Sequence, residues 1–177
     1  MVLPLTCQPS TRSTMTDLVF RSANRRYGLQ IDAGRVESIL RLCRDARGQE
    51  TGGILIGRYS ARLDCALVVN TTPAPQDSRS GPTWFERGVT GLQQLLDRSW
   101  RSHREHYLGE WHFHPFAPPT PSPDDIQQML AIARNRSWKC PEPVLLIIGG
   151  DPDSHWQAYA FVTSRTNGRI ELQAVQS

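Results

Sequence analysis

The sequence predicts an α+β (α-β-α) fold, with a mixed, mostly antiparallel central sheet flanked by helices. Three observations carry this reading. Short apolar or alternating segments of strand length recur between residues 18 and 174. Three longer stretches show apolar residues at helical spacing. The two kinds of segment do not alternate strictly, as a doubly wound parallel sheet would require.

Taken in order, residues 1–16 are rich in Thr, Ser and Pro without periodicity and read as a flexible tail before a single domain over 17–177. Leu18–Ser22 and Tyr27–Ile31 read as two strands around an Arg-rich turn. Val36, Ile39, Leu40 and Cys43 give an amphipathic helix over roughly 33–46, with Gly48 ending it. Gly52–Tyr59 and Cys65–Asn70 are strands, and residues 71–83, with three Pro and several Ser and Thr, read as loop. A loop of that length in a small domain is often functional. A second helix over 88–104 carries Val89, Leu92, Leu95, Leu96 and Trp100 on one face. Tyr107–His112 is a strand, followed by a Pro-rich loop. Ser122 and Pro123 suit the N-cap and first position of a third helix, striped by Ile126, Met129, Leu130 and Ala133. Pro143–Gly149, Trp156–Thr163 and Arg169–Ala174 complete the sheet.

Composition narrows the function. A chain of 177 residues with 38% hydrophobic residues can bury a real core without disulfide staples. Cys7, Cys43, Cys65 and Cys140 form no CxxC pair, so a zinc ribbon is excluded and they read as small buried hydrophobes of a reducing compartment. The longest clean apolar run, Val144–Ile148, is far below a membrane span, and the first residues lack a signal-peptide pattern. The expected location is the cytoplasm, with no membrane partner. Net charge is +3: the first 47 residues, with eight basic and four acidic, are net +4, and the rest are net −1, which argues against a nucleic-acid partner. Of the 20 basic residues only Lys139 is lysine, a bias that GC-rich coding explains.

The informative stretch is 109–125, GEWHFHPFAPPTPSPDD. On a strand, His112 and His114 share one face, with Trp111 and Phe113 on the other. Two imidazoles side by side need a partner, and a metal is the usual one. Asp124 and Asp125, opening the next helix, are candidates for a third ligand. Asp124 also reads as a solvent-facing acid, and Glu110, on the histidine face, as a supporting carboxylate or an alternative ligand. Ser122 suits a helix cap as well as a reacting group. His103, His106 and His155 have no partner at ligand spacing.

His112-x-His114, ten residues, then Asp125, with Pro115, Pro121 and Ser122 between, resembles the JAMM motif of the JAB/MPN metalloprotease family. Upstream, Glu50 followed by Thr51-Gly52-Gly53-Ile54-Leu55-Ile56-Gly57 resembles that family's Glu and glycine-flanked strand. Phe113 stands where the family commonly has Ser, at a position that is not a ligand. The resemblance spans about residues 18–165. It implies the MPN (JAB) fold, similar to cytidine deaminases, and one catalytic Zn2+ held by His112, His114 and Asp125. It implies Glu50 as general base and Ser122 as donor to the oxyanion, in amide hydrolysis without a covalent intermediate. Trp84 and Phe85, after the long loop, read either as a substrate-binding lip or as anchors for the second helix.

Short bacterial members in anti-phage operons such as CBASS, which encode E1- and E2-like proteins, are similar in their G-P-T-W-F-E-R-G and Y-L-G-E-W-H-F-H-P stretches. The implied function is a zinc isopeptidase acting after the C-terminal tail of a ubiquitin-like protein, as precursor maturation or as deconjugation. The alternatives are processing of a sulfur-carrier protein in cysteine or cofactor biosynthesis, and a non-catalytic MPN scaffold.

Overall fold

The structure, a computed structural model, describes residues 16–175. The tail expected over 1–16 therefore lies, except for Thr16, outside the described residues, as does Cys7. β1 (Leu18–Arg21) and β2 (Gly28–Ile31) form the expected hairpin. Its turn is closed by the Ser22 hydroxyl, which accepts from the Tyr27 amide at 3.0 Å. α1 (Ala33–Asp45) starts at Asp32, whose carboxylate accepts from the Arg35 amide. It ends slightly before Gly48, and the chain leaves it through positive φ at both Arg47 and Gly48.

β3 (Thr51–Tyr59) and β4 (Ala66–Thr71) pair antiparallel. The expected loop over 71–83 is not wholly loop: β5 (Arg79–Gly81) and β6 (Trp84–Glu86) make a separate two-stranded sheet. α2 is shorter than expected, Leu92–His103. Asp77 takes the amides of Val89 and Thr90 at 3.0 Å, and Gly91 turns at φ +80°, so the helix cannot begin earlier. Val89 is consequently exposed rather than part of the helix face, and Trp100 is half exposed. β7 (His106–Pro115) runs through both histidines. α3 (Pro123–Arg134) buries Asp125, Met129, Ile132 and Ala133, which rotates its inner face relative to the expected stripe; Ile126 and Leu130 are only partly buried. β8 (Val144–Gly150), β9 (Trp156–Ser164) and β10 (Gly168–Ala174) complete the chain.

Eight strands join in the order β1-β10-β9-β8-β7-β3-β4-β2, and the last pairs with the first. The sheet is mixed as expected, parallel at β2–β4 and β7–β8 and antiparallel elsewhere. It closes on itself, where the sequence predicted only a central sheet flanked by helices. Along β3 and β8, successive residues enter opposite cores. Leu55, Leu146 and Ile148 join Trp111, Phe113 and the inner stripe of α1. Ile54, Ile56, Leu145 and Ile147 pack with Met129 and Ile132 of α3 and Leu92 of α2. This explains the continuous apolar runs of both strands. A side chain of this size contributes about 1.5–3 kcal/mol when buried. Among the described residues no helix is long and apolar enough to cross a membrane.

Candidate active site

β3 and β7 form the floor of the site. Gly52 lies opposite His112 and Thr51 opposite Phe113. Trp111 and Phe113 turn into the core, and the Trp111 indole donates to the Thr72 carbonyl at 2.9 Å. Glu110, His112 and His114 occupy the other face, as the alternation required. All three are buried, at 0%, 3% and 8% exposure.

α3 brings Asp125 to the histidines. Ser122 caps the helix: its hydroxyl accepts from the Asp125 amide at 3.1 Å and donates to Asp125 Oδ2 at 2.8 Å. Asp125 Oδ2 in turn accepts from the Ser122 amide at 2.7 Å. Pro123 at the start and acidic residues in the first turn favour the same geometry. So anchored, Asp125 Oδ1 lies 2.7 Å from His112 Nδ1 and its Oδ2 3.7 Å from His114 Nε2. The motif residues His112, His114, Ser122 and Asp125 thus meet at one place. Asp124 is exposed.

Electrostatics differ among these groups. Burial works against a charged His112, but its bonds to Asp125 and Glu110 outweigh that and raise its pKa to about 9. Burial disfavours an ionised Asp125, yet His112 and Ser122 hold it down at about 2. Burial lowers the pKa of His114. Glu50, just ahead of β3, is pushed up to about 7 by burial and then by the charge of Asp125, with His112 opposing. A carboxyl poised near neutrality within reach of the Asp125 and His112 charges suits proton transfer. The cysteines are poor nucleophiles by contrast: burial pushes Cys43 to about 12 and Cys140 to about 11.

The β5–β6 sheet borders the site. The Glu50 amide donates to the Gly81 carbonyl at 2.9 Å. Phe85 stands edge-on to the His112 ring, centroids 5.5 Å apart at 82°. Trp84 is 50% exposed. A cavity of about 580 Å³ opens elsewhere, against Leu92, Leu96, Trp100 and Trp138, and includes none of the motif residues.

Sequence reasoning missed Arg87, Tyr107 and Gln128, which surround Glu110. Arg87 Nε and Nη2 donate to Glu110 Oε1 at 2.9 and 2.7 Å, and the Tyr107 hydroxyl donates to it at 3.2 Å. Gln128 Nε2 donates to Oε2 at 2.8 Å. Gln128 had a usable signal, three residues beyond Asp125 on one helix face. Tyr107 had none: the β3–β7 register shifts between Leu55 and Ile56, and this bulge turns Tyr107 to the side of Glu110. Gly109 accommodates the bulge, since a Cβ there would run into the Val144 backbone.

Residues 33–161 match the family of prokaryotic homologs of the JAB domain, over a span that holds Glu50, His112, His114, Ser122 and Asp125. The chain belongs to that family. This JAB-domain chain is also 41% identical, over 165 residues, to a CD-NTase/cGAS isopeptidase of Enterobacter hormaechei subsp. hoffmannii (strain UCI 50). The alignment covers 93% of this chain and 91% of that protein. The solution structure of protein DSY2949 from Desulfitobacterium hafniense matches this JAB domain with a TM-score of 0.53 at 22% identity. It covers 81% of this chain and 86% of that one, and the likeness concerns the fold.

Proposed function

We propose that this JAB-domain protein is a zinc-dependent isopeptidase that cleaves the amide bond after the C-terminal tail of a ubiquitin-like protein, within an anti-phage pathway. The observation that carries the reading is the meeting of His112 and His114 with Asp125 at the start of α3, close enough to Glu50 for the Asp125 charge to help push its carboxyl up to about 7. The isopeptidase named among its relatives supports the reaction class and the pathway.

The donor set suits zinc in type, two imidazoles and a carboxylate. Among the described residues, however, no three His, Cys, Asp or Glu side chains stand ready as a metal-holding group. The reason is that the donors satisfy one another. His112 Nδ1 lies 2.7 Å from Asp125 Oδ1 and His114 Nε2 lies 3.7 Å from Asp125 Oδ2, so the two histidines face different oxygens of one carboxylate. One nitrogen of His112 faces Asp125 while the other faces the buried Glu110, at 3.4 Å. That is the environment of a metal-ligating imidazole with a carboxylate behind it.

His112, His114 and Asp125 would hold the ion. When bound, zinc supplies a water that ionises near neutral pH and a Lewis acid beside the attacked carbonyl. Glu50 takes the proton of the attacking water on its carboxylate and delivers it to the departing amine. The Ser122 hydroxyl, turned from Asp125, donates to the carbonyl oxygen as charge builds there. Among the described residues the β5–β6 sheet pairs with no other strand, which leaves the outer edge of β6 for an extended tail. Trp84 and Phe85 form the apolar lip that keeps water from the bond under attack.

The test is elemental analysis of wild type and Asp125→Ala, with cleavage of ubiquitin-like and sulfur-carrier fusions. One zinc per wild-type chain, none in the variant, and Glu50-dependent cleavage after the tail of a ubiquitin-like protein are expected. A zinc-free, inactive wild type would overturn the proposal. Cleavage of sulfur-carrier fusions alone would replace the substrate.

A further inference from the structure

Glu110 stands at the junction of every element that builds the site. Its carboxylate is fully buried and divides its contacts. Oε1 takes Arg87, the residue just after β6, together with Tyr107 of β7. Oε2 takes Gln128 of α3 and faces His112 Nε2. Gln128 lies one turn beyond Asp125 on the same helix, and Arg87 lies two residues beyond Phe85, which packs on the His112 ring. One carboxylate therefore touches the first histidine directly, the helix bearing the aspartate through Gln128, and the aromatic lip through Arg87. The Arg87 guanidinium is itself enclosed. Its Nη1 donates to the Gly88 carbonyl at 2.7 Å, its face lies 5.3 Å from the centre of the Trp138 ring, and its side chain is 5% exposed.

We propose that Glu110 and Arg87 are a positioning pair: Glu110 fixes the His112 ring from behind and sets α3 against it, while Arg87 ties the Phe85 strand to the same carboxylate. Stability alone is a weak reason for this arrangement. A buried ion pair contributes about as much as apolar side chains of similar volume, because desolvation offsets the attraction. What apolar side chains cannot supply is a fixed orientation for an imidazole. A carboxylate behind a metal-bound histidine fixes the ring and its tautomer, and its loss typically weakens metal binding about 10–100-fold. The inference rests on the zinc reading.

The experiment measures zinc affinity of metal-stripped protein by competition with a chromophoric chelator, beside thermal melting and ring-nitrogen NMR of His112 in the zinc-loaded protein. Glu110→Gln alone strands the Arg87 cation and can unfold the chain, so the deciding variant is the double Arg87→Met/Glu110→Gln, which removes both charges. It is expected to melt close to wild type, to bind zinc about 10–100-fold more weakly, and to show exchange between His112 tautomers where wild type shows one. Gln128→Leu, which leaves the ion pair intact, is expected to weaken zinc by a smaller factor of about 3–10. A double variant that folds and binds zinc as wild type does, with one His112 tautomer, would overturn the positioning role. If the double variant also fails to fold, an unchanged zinc affinity in Gln128→Leu overturns it instead. A wild type that binds no zinc would overturn the zinc reading, a distinct result.

Discussion

Gly52 lies directly across the β3–β7 ladder from His112, with no room for a side chain. A Cβ at Gly52 would run into the Trp111 carbonyl and approach Phe85 to 2.8 Å and the His112 ring to 2.9 Å. The first of these is backbone and cannot swing aside, so Gly52→Ala must push the two strands apart. Overpacking of this kind costs about 1–3 kcal/mol. Because the displaced strand carries both histidines, zinc affinity should drop about tenfold or more as well. Melting and chelator competition on the same preparation check this. Loss of stability with unchanged affinity would show that the ladder tolerates the shift without moving His112.

Glu50 separates activity from stability. Its pKa near 7 arises from burial and from Asp125, while its ordinary value is 4.5. Between those values the folded chain keeps a proton that the unfolded chain releases. Stability therefore falls as pH rises from about 4.5 toward 7 and stays reduced above. Glu50→Gln removes this cost, damped because the side chain is partly exposed. Zinc-free Glu50→Gln should melt about 1–3 °C above zinc-free wild type at pH 8, with no difference near pH 4. The same variant should lose about 10²–10⁴ in cleavage rate as the loss of a general base requires.

The contrast between these two positions shows what the sequence can carry. Elements set by local periodicity were legible: α1, the capped start of α3, and the inward turn of Trp111 and Phe113 against the outward turn of His112 and His114. The clustering of His112, His114, Ser122 and Asp125 was legible because their spacing is a matter of short chain segments. What escaped depends on contacts distant along the chain. The start of α2 is set by Asp77, 15 residues before Leu92, and the β5–β6 strands are held by their neighbours in space. The Glu110 cluster gathers Arg87, Tyr107 and Gln128 through a bulge that no alternation pattern reveals. Closure of the sheet likewise needs β1 to meet both β2 and β10, a pairing that neither strand's residues specify.

Ser122 carries two separable duties. As helix cap it engages Asp125 through both backbone and side chain, and Ser122→Ala should cost about 0.5–2 kcal/mol. As oxyanion donor its loss should cost about 10²–10³ in kcat. Ser122→Asn tells them apart, since Asn caps helices well but has no hydroxyl to donate at that position. The expected result is near wild-type melting with kcat still reduced to the level of the alanine variant. Recovery of kcat along with melting would leave Ser122 as a cap only.

Trp84 and Phe85 are adjacent but differ in what they touch, so their truncation should fail in different ways. The Trp84 side chain is half in solvent, beside Gly81 at the hairpin turn. Trp84→Ala should leave melting within about 0.5 kcal/mol and zinc affinity unchanged, while raising KM about tenfold through lost apolar contact with the tail. Phe85 packs on the His112 ring and over Gly52. Phe85→Ala should therefore lower kcat and zinc affinity together with raising KM, because it opens space beside a metal ligand. Steady-state kinetics on a ubiquitin-like fusion, beside chelator competition, distinguish the two. If Trp84→Ala instead leaves KM unchanged, the tail does not cross the β5–β6 turn and the lip consists of Phe85 alone.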